Sequence, residues 1–153
     1  MQNGYRVSGT GEKLMIDTSK LASNQKRMAS FVVDDLMISI FFIIIYLDQL
    51  KNLTTQEEAS AFIVANYWVL ISLKVIYHTF LTWQGGKTIG KYFMKIKSVT
   101  IDGETLTLPA SLVRAVVRVL DEAIFYLGFL PALFFPTRQT IHDRISRSIV
   151  VDA

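Results

Sequence analysis

Apolar residues dominate two long stretches of the chain, 28–47 and 59–83. Each is long enough to cross a bilayer as a helix, which takes roughly 20 apolar residues. The polar loop between them, 48–58, carries Thr55 and Glu58 at the spacing of a capping box, which predicts the start of the second helix. Further on, Asp102-Gly103 lies between β-rich flanks. That pattern predicts a strand over 95–101, a tight turn, and a return strand over 104–107. Pro109 then falls in the first turn of a third helix, where a missing N–H costs little. The apolar run 123–135 that follows is interrupted by Gly128 and Pro131 and closed by Pro136. It is too short for an ordinary span and predicts a broken or re-entrant segment. The tail ends in Ile149-Val150-Val151, a strand pattern.

These elements predict an all-α membrane protein. It has two transmembrane helices, over about 28–47 and 59–83, and a third broken or re-entrant membrane segment over about 110–135. A small cytoplasmic β-hairpin occupies 91–108, and the tail covers 136–153. Residues 1–26 are polar and are expected to form a flexible cytoplasmic arm. They contain no apolar stretch of the signal-peptide kind, so the first helix is expected to serve as its own insertion signal.

Composition agrees. The 153 residues are 51% hydrophobic, and mean hydropathy is +0.36. The net charge of +3 would suggest nucleic acid in a soluble domain. Here the Lys and Arg sit in the gaps between apolar runs, so membrane topology explains them better and nucleic acid is not an expected partner. Five of them lie in 1–27, one in 48–58 and four in 84–113. The positive-inside rule then puts the N-terminus and the middle segment in the cytoplasm, and Arg138, Arg144 and Arg147 argue for the tail there too, with a single third crossing and an external tail as the alternative. Lys91, Lys95 and Lys97, interleaved with Tyr92, Phe93 and Ile96, suit the anionic headgroups of the bilayer. There is no Cys, so a disulfide framework and a thiolate metal site are excluded.

The chemistry lies in charges within the apolar runs. Asp34 and Asp35 are adjacent inside the first. A carboxylate at the centre of a spanning helix costs on the order of 2.5–3.5 kcal/mol, so it needs an ion pair, a hydrated cavity or a cation to hold. Arg27 shares a face with Asp34, but the two are about 10 Å apart along the axis. Arg27 is therefore expected to snorkel to the headgroups, and Asp34 to pair with Arg114 or Arg118 of the third helix. Asp121 and Glu122 are placed to pair locally with Arg118. Asp34, Asp35, Asp121 and Glu122 against Arg114, Arg118 and Lys74 leaves one carboxylate in excess, and Asp35 is the candidate for a proton or monovalent cation site. The competing reading is that all these charges merely pin helices together. His78 near the end of the second run is expected to be interfacial, and Asn66 and Ser72 to hydrogen-bond between helices.

Other motifs fall short. Gly85-Gly-Lys-Thr88 lacks the first Gly of a phosphate loop, since position 81 is Leu81. A tight turn is the better reading, and Gly86-x3-Gly90 would permit close backbone approach. His142-Asp143 is too poor in further His for a metal phosphohydrolase site and is expected to dock the tail, near Arg138 and Arg144. With no nucleophile–base pair and no cofactor fingerprint, an enzyme is not expected, nor is a cofactor.

Taken in order, Arg27, Asp34, Gly86-x-Thr88-Ile-Gly90-Lys91, the Asp-Gly turn, Arg114-x3-Arg118-x2-Asp121 and Gln139-Thr-x-His142-Asp143 resemble the RDD family, over about residues 25–151. That family is named for one Arg and two Asp. Arg27 matches the Arg and Asp34 the first Asp; the second falls on Asp121 or Asp143. The doubled Asp34-Asp35, Ser30 in place of a small Ala, and Ser146-Arg-Ser148 in place of a Gly-containing turn depart from the pattern. The resemblance implies a small multi-pass protein of the bacterial inner membrane with a role in transport, cation/proton exchange in some members. The expected function is thus a transporter using these carboxylates, with a homo-oligomer to enclose the path. The alternative is an accessory or assembly subunit whose buried charges are structural.

Overall fold

The computed structural model describes residues 5–7, 13–15, 20–124 and 139–153. Its elements are β1 (Tyr5–Val7), β2 (Lys13–Met15), α1 (Asn24–Ile45), α2 (Leu47–Leu50), α3 (Gln56–Ala65), α4 (Tyr67–Gly85) and α5 (Ile89–Phe93). They are followed by β3 (Ile96–Thr100), α6 (Leu108–Ala123), α7 (Ile141–Ile145) and β4 (Ser148–Asp152). The architecture is mostly helical with two small two-stranded antiparallel sheets, β1 with β2 and β3 with β4.

α1 starts where the Ser23 hydroxyl accepts from the Lys26 N–H, and it ends at Tyr46. Its 22 residues contain neither Gly nor Pro, so nothing interrupts it. One face is buried: Arg27, Ser30, Asp34, Ile38 and Phe42, at the spacing of a helix stripe. The opposite positions Leu36, Ile40 and Ile44 are apolar and exposed. α6 repeats the inversion, burying Ser111, Arg114 and Asp121 while exposing Leu112, Val116 and Leu120. A soluble helix hides its apolar stripe from water. Polar side chains inward and apolar side chains outward suit a surrounding that is itself apolar. Among the described residues, α1 alone is long and apolar enough to cross a membrane, and α3 with α4 forms a second such stretch bent by 58°.

The bend corrects the expectation of one continuous second helix. It falls at Asn66, whose backbone leaves the helical region (φ −102°, ψ 15°) while its amide donates to the Phe62 carbonyl. An Asn side chain that bonds nearby backbone competes with the helix ladder. Ser72 likewise bonds back within its own helix, to Trp68. Neither links helices as expected. The capping box at the start of α3 is present, with Thr55 and Glu58 exchanging bonds.

The expected hairpin is also corrected. β3 and the turn form: Gly103 has φ +87°, and its N–H donates to the Thr100 carbonyl. Residues 104–107 form no strand. β3 pairs instead with the tail strand β4, from Ile96 opposite Asp152 to Thr100 opposite Ser148. The reason is burial. Val99 with Ile149, and Ile96 with Val150, close two apolar clusters together with Leu21 and Ala22. The alternative return strand Glu104-Thr-Leu-Thr107 offers one apolar side chain, Leu106. The tail thus closes onto the middle of the chain, and the segment before α1 joins it by a bridge from Leu21 to Val151.

α5 packs on α1, α6 along α4, and α7 on α6. The expected re-entrant stretch after α6 lies outside the described residues, as do Gly128, Pro131, Pro136 and Arg138.

Candidate functional site

Two buried carboxylates organise the polar interior, and they are held differently. Asp34 is fully buried. Its carboxylate accepts from the Tyr77 hydroxyl at 2.7 Å, the Thr88 hydroxyl at 2.6 Å and the Gly90 N–H at 2.8 Å. These donors come from α4, from the residue capping α5 and from α5 itself, so one side chain of α1 ties three segments. Arg114 and Arg118 do not supply the expected partner. The Thr88-Ile-Gly90 turn reaches Asp34 because Gly90 has no side chain. A Cβ there would lie 2.1 Å from the Ser30 carbonyl oxygen. Gly86, at φ +68°, is equally close to the Ser98 carbonyl, at 2.3 Å from a built Cβ. The close approach expected of Gly86-x3-Gly90 is therefore real.

Asp143 is the second centre. It sits in the first turn of α7, where the Thr140 hydroxyl and the Asp143 carboxylate form a reciprocal capping box. The same carboxylate forms an ion pair with Arg27 and another with Arg114, the latter at 2.6 Å. Arg114 also donates to the Ser148 hydroxyl at 2.5 Å. Arg27 is thus buried and paired, not snorkelling to the surface. Burial opposes the charge on Asp143, but the Arg114 and Arg27 guanidiniums overcome it and hold the carboxyl well below its usual range.

His142 is next to it and also buried. Burial pushes the imidazole down to about 4, against the pull of Asp143 and Asp121. It is therefore neutral. Its Nδ1 lies 3.0 Å from the Asp121 carboxylate and its Nε2 lies 2.9 Å from the Thr140 hydroxyl. A carboxylate can only accept, so Nδ1 carries the proton and Nε2 accepts from Thr140. Asp121 accordingly faces His142 and not Arg118. His142 and Asp143 do dock the tail, but onto Arg27, Arg114 and Asp121; Arg144 is exposed.

The third group surrounds Lys74. Its ammonium lies 2.8 Å from Asp35 and 2.5 Å from Glu122. Arg118 reaches Glu122 at 3.7 Å and lies over the Phe31 ring, 4.8 Å from its centroid. Asp35, expected to be the excess acid, is thus paired. His78 is buried, stacked edge-on against Tyr77, and not interfacial. Lys91, read as a headgroup ligand, turns inward: it is buried, and its ammonium donates to the Ser98 hydroxyl at 2.6 Å. Lys95 and Lys97 stay more open, and Tyr92 and Phe93 are exposed beside them.

Sequence reasoning missed Tyr77 and Thr88 as partners of Asp34, and the link from Arg27 to Asp143. Thr140-x-x-Asp143 did carry a signal, the spacing of a capping box. Nothing comparable marks Tyr77.

A helical scaffold with an apolar exterior and an interior of Arg, Lys and Asp defines a class of membrane-type module. Residues 21–147 match the RDD family, and the chain belongs to it. The human protein FAM8A1 is 26% identical over 129 residues, covering 74% of this chain and 31% of its own length. The uncharacterized protein YxaI of Bacillus subtilis (strain 168) is 31% identical over 86 residues, covering 54% of this chain and 55% of its own. The chain thus spans about a third of the one relative and about half of the other. No solved structure matches it. The family and the apolar α1 both support a membrane location.

Proposed function

We propose that this chain is an integral membrane module that works as an accessory or assembly subunit, and that its buried charges fasten its own segments together. It sits in the bacterial inner membrane with the N-terminus in the cytoplasm and crosses it more than once. The observation that carries this reading is that every buried or mostly buried carboxylate among the described residues has its partners. Asp34 has three neutral donors, Asp143 has two guanidiniums, Asp121 has His142, and Glu122 has Lys74. A carboxylate so engaged has little left to offer a passing cation. The interior charges also come from distant parts of the chain, which is what a fastening needs.

Transport is the second reading, and Asp35 favours it. Its side chain is 43% exposed while still paired to Lys74, so it alone among these acids is open to the surroundings. A path along it would need a second copy of this small bundle to enclose it. The test is proton-coupled movement of monovalent cations into liposomes holding the purified chain. The subunit reading expects no more than empty liposomes show. Flux in the parent that Asp35→Asn abolishes, with thermal stability kept, would replace it by transport.

A further inference from the structure

Four cations gather where the Asp143 and Asp34 centres meet. Arg27, Lys91, Arg114 and Arg118 line one cavity of about 20 Å³. Lys91, Arg114 and Arg118 also line a second, of about 10 Å³, together with Ser111. Among the described residues, none lining either cavity carries a carboxylate. The acids nearby are already divided: Asp143 between Arg27 and Arg114, and Glu122 between Lys74 and Arg118. Asp34 is taken by its three donors. Lys91 has the Ser98 hydroxyl as its hydrogen-bond partner and no carboxylate in contact.

Two further donors make no hydrogen bond. The Ser111 hydroxyl is 1% exposed, lines the second cavity and has no hydrogen-bond partner. The Arg118 Nε is buried and makes no hydrogen bond, its one ion-pair contact among the described residues being Glu122 at 3.7 Å. Buried polar groups in folded proteins are nearly always satisfied, so each such group needs an explanation. An acceptor among the cations that both cavities share would give Arg118 such a partner.

We propose that the larger cavity is an internal binding site for a small inorganic anion of chloride size, held by Lys91, Arg114 and Arg118, the cations it shares with the smaller cavity that Ser111 lines. Size selects the ligand. A cavity needs about 10–15 Å³ to hold one water, so the larger of the two suits one compact occupant, not a tetrahedral phosphate with its ester groups. Charge selects its sign. An anion there would also stabilise the ammonium of Lys91, which burial, reinforced by Arg114 and Arg118, otherwise drives well below its usual range. The site goes beyond a fastening role, because it makes the shared interior of Lys91 in α5 and Arg114 and Arg118 in α6 depend on a dissolved ion.

The experiment is thermal unfolding of the purified full chain in a maltoside detergent at constant ionic strength, with chloride replacing gluconate. A ligand bound only by the folded state raises the midpoint with concentration. The expected result is a saturable rise of several degrees with chloride or bromide, and none with phosphate or with added phosphatidylglycerol. Lys91→Met should lose the rise and be more stable than the parent in gluconate, because a buried cation without a carboxylate is gone. Arg118→Gln should shift the rise to higher chloride, and it carries the test if Lys91→Met does not fold. Equal midpoints in chloride and gluconate would overturn the proposal. So would an undiminished chloride response in the variants, or a response to phosphate or lipid alone.

Discussion

Gly90 and Ser30 meet backbone to backbone: a Cβ at Gly90 would stand 2.1 Å from the Ser30 carbonyl oxygen. The contact allows the Gly90 N–H to reach Asp34. Gly90→Ala is therefore expected to push α5 off α1 and break that bond, costing about 1–3 kcal/mol for overpacking and a comparable amount for the lost donor. Gly85 is the control. Nothing lies within 4 Å of a Cβ there, and it ends a helix. Gly85→Ala should be neutral or stabilising by up to about 1 kcal/mol. Thermal midpoints of the two variants in detergent check the contrast.

Asp34 is held by neutral donors, which sets its mutational behaviour. Asp34→Asn turns an acceptor of three bonds into a group whose NH₂ faces donors, so a loss of about 2–4 kcal/mol is expected. Combining it with Arg114→Gln or Arg118→Gln should bring no recovery, because neither Arg is its partner. Double-variant midpoints measure this. Recovery in either combination would restore the direct pairing that the sequence suggested.

Acid should weaken the fold through His142 before it reaches Asp143. An unfolded His titrates near 6.5, and the buried imidazole near 4. Below 6.5 the unfolded chain binds the proton and the folded chain does not, so stability falls as the pH drops from about 6.5 to about 4. Asp143, depressed below an ordinary carboxyl, contributes stability above about 4 that is lost only at lower pH. His142→Gln should flatten the upper window and leave the lower one. Midpoints at closely spaced pH values would show it.

The helices were largely legible because they follow from composition and local signals: the apolar runs, the Thr55 capping box, and Pro109 at the start of α6. The partner of β3 was not. Asp102-Gly103 marks a turn whatever follows, and the choice between residues 104–107 and β4 depends on Leu21, Val99 and Ile149 meeting across the whole chain. The site divided in the same way. Arg27, Asp34, Arg114 and Asp143 are conspicuous as charges in unlikely places. Which charge meets which is a tertiary matter, since a 3.6-residue period fixes faces along a helix and says nothing of the neighbour. Hence the sequence points Asp34 at Arg114 or Arg118, whereas Asp143 holds Arg114 and Glu122 holds Arg118. Lys91 illustrates the limit from the other side: a Lys among aromatics reads as surface, and only the fold turns it inward.

The central claim is that buried charge fastens α1 to the tail, and the pair Arg27 and Asp143 tests it most directly. The measurement is a double-mutant cycle of Arg27→Gln and Asp143→Asn, read as unfolding free energies of the full chain in detergent. Each single change should cost on the order of 3–5 kcal/mol, because each strands a buried charge. Asp143→Asn should cost the more, since it strands Arg114 as well. The double variant should recover part of the sum, with a coupling on the order of 1–3 kcal/mol. Strictly additive losses, or single changes with no loss at all, would mean that this pair does not hold the molecule together.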